Sequence, residues 1–261
     1  MPFHQTDGVE YFTFSSLNQA GLIHAVFTRK GGVSQSPWDS LNVGSTVGDD
    51  PAHVIENRRR SFAAMGRNLD TLYDVWQVHS ADVVCTDLPR PPETPHLKAD
   101  AIITNKVGVT LFMRFADCVP ILLFDPTRKV ISLVHAGWQG TVKKVGLKAV
   151  EAMRQNYGCD PGNILAAIGP SICVKHYPVG NEVVNGIKDA LGEEAAEVCH
   201  YQDAQAFLDL WQSNAIILRQ SGVINIEIAE HCTAGDKEKW YSHRGENGRT
   251  GRFGVMIALE G

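Results

Sequence analysis

The sequence predicts a mixed α/β fold in which mixed β-sheets are covered by helices. Two observations predict it. Short apolar runs of strand length crowd the middle of the chain, flanked by segments with three-to-four periodicity. The two kinds of segment neither alternate strictly nor segregate cleanly, which points to mixed sheets.

Taken in order, Ile23 to Thr28 alternates as a half-buried strand does and runs into Arg29-Lys30-Gly31-Gly32, a turn signal. Asp50-Pro51 opens a helix, with the aspartate as N-cap and proline at the first helical position; it runs through Val54, Ile55 and Phe62 and stops near Gly66. Asp74 to Val78 and Ala81 to Thr86 read as short strands around His79, followed by a proline-rich loop from Pro89 to Pro95. Four apolar runs then follow: Ala101 to Thr104, Val109 to Phe115, Ile121 to Phe124 and Val130 to Val134, the last two joined by the turn Asp125-Pro126-Thr127-Arg128. A helix is predicted over Thr141 to Asn156, closed by Gly158. Ile164 to Ile168 is a buried strand. Helices are expected over Asn181 to Leu191 and Ala204 to Gln220, and strands over Val223 to Ala229 and Arg252 to Leu259. There is no fixed-period repeat and no linker long enough to mark a boundary, so residues 1–261 are expected to form a single domain.

Bulk properties narrow the function. Hydrophobic content of 44% and charged content of 20% are those of a water-soluble globular chain. The net charge of −5 provides no global attraction for nucleic acid or an anionic membrane, so a phosphate-bearing ligand would need a local basic cluster. The first residues lack the basic and apolar regions of a signal peptide, and no apolar run reaches a membrane span. A cytoplasmic protein is expected, with monomer and homodimer both open. Cys85, Cys118, Cys159, Cys173, Cys199 and Cys232 are scattered without a C-x-x-C pair, which argues against a disulfide framework or a four-cysteine zinc knot. Buried free thiols are the default expectation for them.

Three segments carry most of the chemistry: Gln77-Val78-His79-Ser80, Ala116-Asp117-Cys118-Val119-Pro120 and Val134-His135-Ala136-Gly137-Trp138. Each sets a soft ligand or nucleophile where an apolar strand is expected to give way to a loop. Two imidazoles and a thiolate leave the fourth position of a tetrahedral zinc open for water or substrate. The same His79, Cys118 and His135 would also make a Cys–His nucleophile pair. Spacing alone leaves both readings open.

Several phrases resemble a known family. They are Phe27-Thr28-Arg29-Lys30-Gly31-Gly32-Val33-Ser34, Ser40-Leu41-Asn42-Val43-Gly44, Gly48-Asp49-Asp50-Pro51, Asn57-Arg58 and the three segments above. Ile168-Gly169-Pro170-Ser171-Ile172, Cys232-Thr233 and the tail containing Arg244 and Gly251-Arg252 complete the set. Together they are similar to the YfiH-type family, long labelled laccase-domain or polyphenol oxidase. Its members are now regarded as zinc-dependent purine nucleoside phosphorylases, with adenosine deaminase and methylthioadenosine phosphorylase activities also attributed. The resemblance implies a single αββα domain akin to the catalytic domain of cytotoxic necrotizing factors. It also implies Zn2+ held by His79, Cys118 and His135, acting on a small-molecule nucleoside and phosphate. Two positions depart from the family pattern: Gln139 stands where arginine is common, and Arg244-Gly245 where paired arginines are frequent.

Arg29, Asn42, Arg58 and Arg244 are the expected substrate or phosphate contacts, and Asp117 is a candidate proton donor or loop-orienting residue. Ten histidines without one His-x-His cannot build the blue-copper centre and trinuclear cluster of a multicopper oxidase. A single Cu2+ in the His–Cys–His site stays open, because nitrogen and sulfur donors favour copper intrinsically. The rival enzyme is an amide hydrolase acting on a cell-wall precursor, with Cys118 as nucleophile and a histidine as base. A zinc-bound interaction module without activity is the rival from outside enzymology.

Overall fold

The computed structural model describes residues 2–18 and 21–260. Two six-stranded sheets form its centre. The first runs, edge to edge, Phe3–Thr6, Val9–Phe12, Leu22–Phe27, Phe253–Leu259, Thr110–Phe115 and Leu72–Tyr73. The second runs Asn225–Ile228, Leu165–Ile168, Val119–Asp125, Val130–Ala136, Ala101–Thr104 and Val83–Cys85. A three-stranded sheet of Pro178–Val179, Gln205–Leu208 and Cys199–Gln202 sits apart from them.

Side-chain alternation sorts the layers. Leu111, Met113 and Phe115 meet Ile102, Leu122, Phe124, Ile131 and Leu133 in a core between the two large sheets. Phe112, on the other face of its strand, joins Phe62 of helix α1 (Pro51–Ala64). On the outer face of the second sheet, Ile121, Leu123 and Val134 meet helix residues Val145, Ala149, Met153, Ile187 and Leu218. The result is helix, sheet, sheet, helix, as the family resemblance implies. Both faces of the central strands are covered, which is why Val119–Asp125 and Val130–Ala136 are buried at every residue.

Several sequence expectations hold in detail. Asp50 caps α1 by accepting the Ala52 amide at 2.8 Å, and Asp125 accepts the Thr127 and Arg128 amides to close the hairpin. Others need correction. The helix expected over 141–156 is two: α2 (Trp138–Val142) and α3 (Val145–Tyr157), broken at Lys144 with φ 57°. The break turns the preceding residue back toward the site, and Lys143 donates to the His79 carbonyl at 2.7 Å. Helix α4 (Asn181–Leu191) and the short α5 (Ala195–Val198) follow. The helix expected over 204–220 starts late. Gln205–Leu208 is a strand, and α6 (Leu210–Gln220) begins after Asp209, whose carboxylate accepts the Gln212 amide.

Asp74 to Val78 is not a strand either; only Trp76 bridges, to Lys98. Here the Gln77 side chain replaces backbone pairing, accepting the Arg114 amide at 3.0 Å and donating to its carbonyl at 2.8 Å. The sequence reading also missed the first hairpin, which turns at Asp7-Gly8 with φ of 49° and 84°.

Candidate functional site

The three ligand-bearing segments converge, not all from the positions expected. His79 is in a loop, Cys118 lies in the short loop between the strands Thr110–Phe115 and Val119–Asp125, as expected, and His135 lies inside a strand, paired with Pro120. One ligand atom from each of His79, Cys118 and His135 lies within 4.8 Å of the other two. The Cys118 Sγ to His79 Nε2 distance is 3.7 Å. Ideal tetrahedral zinc, from its bond lengths, would separate such a sulfur and nitrogen by about 3.6 Å. Gly137 keeps the space open: a Cβ there would lie 2.9 Å from Cys118 Sγ and 3.0 Å from His79 Cδ2.

Asp100, which the sequence reading missed, positions both histidines. Its carboxylate accepts the amides of Val78, His79 and Ser80 at 3.2, 3.1 and 2.6 Å. This holds His79 in the left-handed region, at φ 57°. The same carboxylate meets His135 Nδ1 at 2.8 Å, leaving Nε2 to face Cys118 and His79. Burial alone would raise Asp100, but His135 and Ser80 outweigh it and hold the acid at about 2. Burial would likewise raise the Cys118 thiol, yet the two imidazoles bring it down to about 6. His135, which burial would lower, is raised by Cys118 and Asp100. Each partner thus favours the charged form of the other.

Asp117 is buried at φ 82° and accepts Thr233 Oγ1, Ser242 Oγ and the Arg244 amide at 2.6, 2.7 and 2.6 Å. Both oxygens are engaged, so it holds loops together and does not stand free as a proton donor.

The ligand cluster forms the floor of a cavity of about 400 Å³. Arg114, Arg244 and Arg252 line it, with Trp76, Tyr177 and His243. The Arg244 guanidinium stacks 5.1 Å above Tyr177 and donates to the Pro178 carbonyl at 3.0 Å. Arg114 is fixed from behind by Gln77, the Val75 carbonyl and Asp74. Asp74 also meets Arg90 at 2.8 Å and Arg58 at 3.9 Å, with His96 at 3.1 Å.

Of the expected substrate contacts, only Arg244 lines the cavity. Arg29 is bound to the Asp39 and Lys237 carbonyls and to Glu246, and lies over Tyr241. Asn42 is fully buried and fastens Asp49, Gly44 and the Arg252 amide. Arg58 spends its guanidinium on the Val43 carbonyl and Asp74. These three support the walls. Gln139 and Gly245, the departures from the family pattern, are not among the lining residues.

A family model described as multi-copper polyphenol oxidoreductase laccase matches residues 23–260. The chain belongs to this YfiH-type, laccase-like family. The purine nucleoside phosphorylase of Deinococcus radiodurans is 39% identical over 237 residues, 90% of this chain and 88% of that one. Purine nucleoside phosphorylase YfiH of Escherichia coli is 36% identical, covering 92% of this chain and 94% of its own. Among solved structures, YlmD from Geobacillus stearothermophilus superposes with a TM-score of 0.91 at 30% identity, covering 99% of both chains. Among the described residues, no helix is long and apolar enough to cross a membrane.

Proposed function

We propose that this protein is a zinc-dependent purine nucleoside phosphorylase, cleaving adenosine, inosine or methylthioadenosine with phosphate and also deaminating adenosine. One observation carries the reading: a soft His–Cys–His ligand set and three arginines face the same cavity. The names of the relatives support the reaction class. His79, Cys118 and His135 would hold the metal, which when bound supplies Lewis acidity at an open fourth position. Arg244 and Arg252 bind and orient phosphate, and preformed Arg114 adds positive charge where the nucleophile's charge must be steadied. Trp76, 47% exposed at the cavity, and Tyr177 offer ring faces to the base. Asp100 sets the two imidazoles, and Asp117 keeps the Arg244 loop against Cys118.

Metal analysis of the purified protein, paired with phosphate-dependent release of base from the three nucleosides, tests the proposal. The expected result is about one zinc in the His–Cys–His site and base release that requires phosphate. Copper in that site with phenol oxidation, or base release independent of phosphate, would overturn it.

A second reading is favoured by the Asp100–His135–Cys118 chain, which has the arrangement of an oriented base beside a nucleophile. On that reading the protein is an amide hydrolase. Full activity in a metal-free preparation, abolished by alkylation of Cys118, would establish it over the phosphorylase.

A further inference from the structure

A second cluster of soft ligands lies apart from the first. Cys173, His176 and Cys232 each place a ligand atom within 4.8 Å of the other two. His176 Nδ1 is 3.3 Å from Cys173 Sγ and 3.3 Å from Cys232 Sγ. A neutral imidazole nitrogen has one lone pair and cannot accept from two thiols at once. Cys232 Sγ also accepts the Cys173 amide at 3.3 Å. A cation among the three atoms would engage all of them at once, which no single thiol hydrogen bond does. Tetrahedral zinc would set each sulfur about 3.6 Å from the nitrogen, close to what is found.

Local structure prepares the arrangement. Val174–His176 is a single 3₁₀ turn that starts directly after the extended Cys173, and this tight turn brings His176 back beside the Cys173 side chain. Cys232 comes from the segment that bridges Ser171. Its neighbour Gly235 leaves room: a Cβ there would lie 3.3 Å from His176 Cε1 and 3.5 Å from Cys232 Sγ.

We propose that Cys173, His176 and Cys232 form a second zinc site, with solvent in the fourth position, that fastens one wall of the cavity. The two thiols release their protons as the thiolates bind Zn2+. The stapled segments are those that shape the pocket. Tyr177, next to His176, carries the Arg244 guanidinium, and Thr233, next to Cys232, donates to Asp117 at 2.6 Å. The site is independent of the phosphorylase reading, because it shares no ligand with the His79, Cys118, His135 cluster.

The test uses the unmodified full chain, stripped with a chelator and then titrated with zinc chloride. Two zinc ions per chain are expected, and zinc should slow iodoacetamide alkylation of Cys173 and Cys232 at least tenfold, read by peptide mass spectrometry. Cys85, which is exposed, is the internal control. Equal alkylation rates at Cys173 and Cys232 with and without zinc would overturn the proposal, as would a Cys173–Cys232 disulfide in the zinc-loaded protein. Protection of Cys118 is read in the same experiment, so failure of one site is seen separately from failure of the other. Cys118→Ser should retain one zinc, and loss of all zinc from that variant while it remains folded would also count against the second site.

Discussion

Asp100 and Asp117 are both buried carboxylates beside the ligand cluster, but they organise different things. Asp100 collects three consecutive amides, Val78 to Ser80, and the imidazole of His135. Asp117 collects two hydroxyls and an amide from Thr233, Ser242 and Arg244, more than a hundred residues downstream. One carboxylate sets ligand geometry; the other joins the C-terminal loops to the Cys118 segment. The difference teaches that, on the proposed function, metal retention and anion binding should be separable by mutation.

The largest expected effect comes from breaking the first carboxylate. Asp100→Ala frees the His135 ring and the His79 loop, so metal affinity should fall roughly 10- to 100-fold, with turnover falling at least as far. Equilibrium dialysis against a zinc chelator measures it, and unchanged affinity would remove Asp100 from the metal site. Next, Arg244→Ala should lower kcat/KM for phosphorolysis roughly ten- to two-hundredfold, by losing one charge-assisted contact of about 1.5–3 kcal/mol. Zinc should stay bound, and deamination should suffer less because it needs no phosphate. Equal losses in both reactions would show that Arg244 grips the nucleoside.

A smaller effect is expected from Asp117→Asn, which places an NH2 against either the Arg244 amide or the two hydroxyls. The phosphate KM should rise about tenfold with zinc content unchanged. Zinc loss from this variant would erase the distinction between the two carboxylates.

The smallest effect on turnover belongs to a residue outside both halves. His24 is buried, accepts the Phe14 amide at 2.8 Å, and is lowered mainly by burial to about 4. The unfolded chain therefore binds a proton that the folded chain refuses between about pH 6.5 and 4. Stability should fall as pH drops through that window, by about 2–3 kcal/mol at its lower end. Urea unfolding of wild type and His24→Gln across this range checks it. Parallel pH profiles would move the acid sensitivity elsewhere, and activity at neutral pH should be unaffected.

The sequence made the fold legible wherever periodicity and caps agreed, as in α1 behind Asp50-Pro51 and the hairpin closed by Asp125. It failed where a side chain does backbone work. Gln77 pairs with Arg114 in place of a strand, which no period-two pattern records. Asp7-Gly8 is itself a hairpin turn signal, since both residues tolerate the positive φ that the turn requires. Within the site, the cluster of His79, Cys118 and His135 carried its own chemistry in the residue types. Asp100 did not stand out, because an aspartate before a strand has no local mark of the loop it will cap. Arg29, Asn42 and Arg58 sat in distinctive phrases, but such phrases mark wall-building as readily as contact. The Cys173-x-x-His176 spacing was visible, while its partner Cys232 is supplied only by the tertiary bridge at Ser171.

The packing around Asp74 has a consequence for how ligands arrive. Three guanidiniums, from Arg58, Arg90 and Arg114, surround that single carboxylate. The wall behind the cavity therefore carries surplus positive charge in a chain whose net charge is −5. At cellular ionic strength such a field extends only about 8 Å into solvent. On the proposed function, phosphate should therefore be selected at the cavity mouth and not steered from a distance, and added salt should slow its capture far less than it would for an enzyme with a positively charged surface.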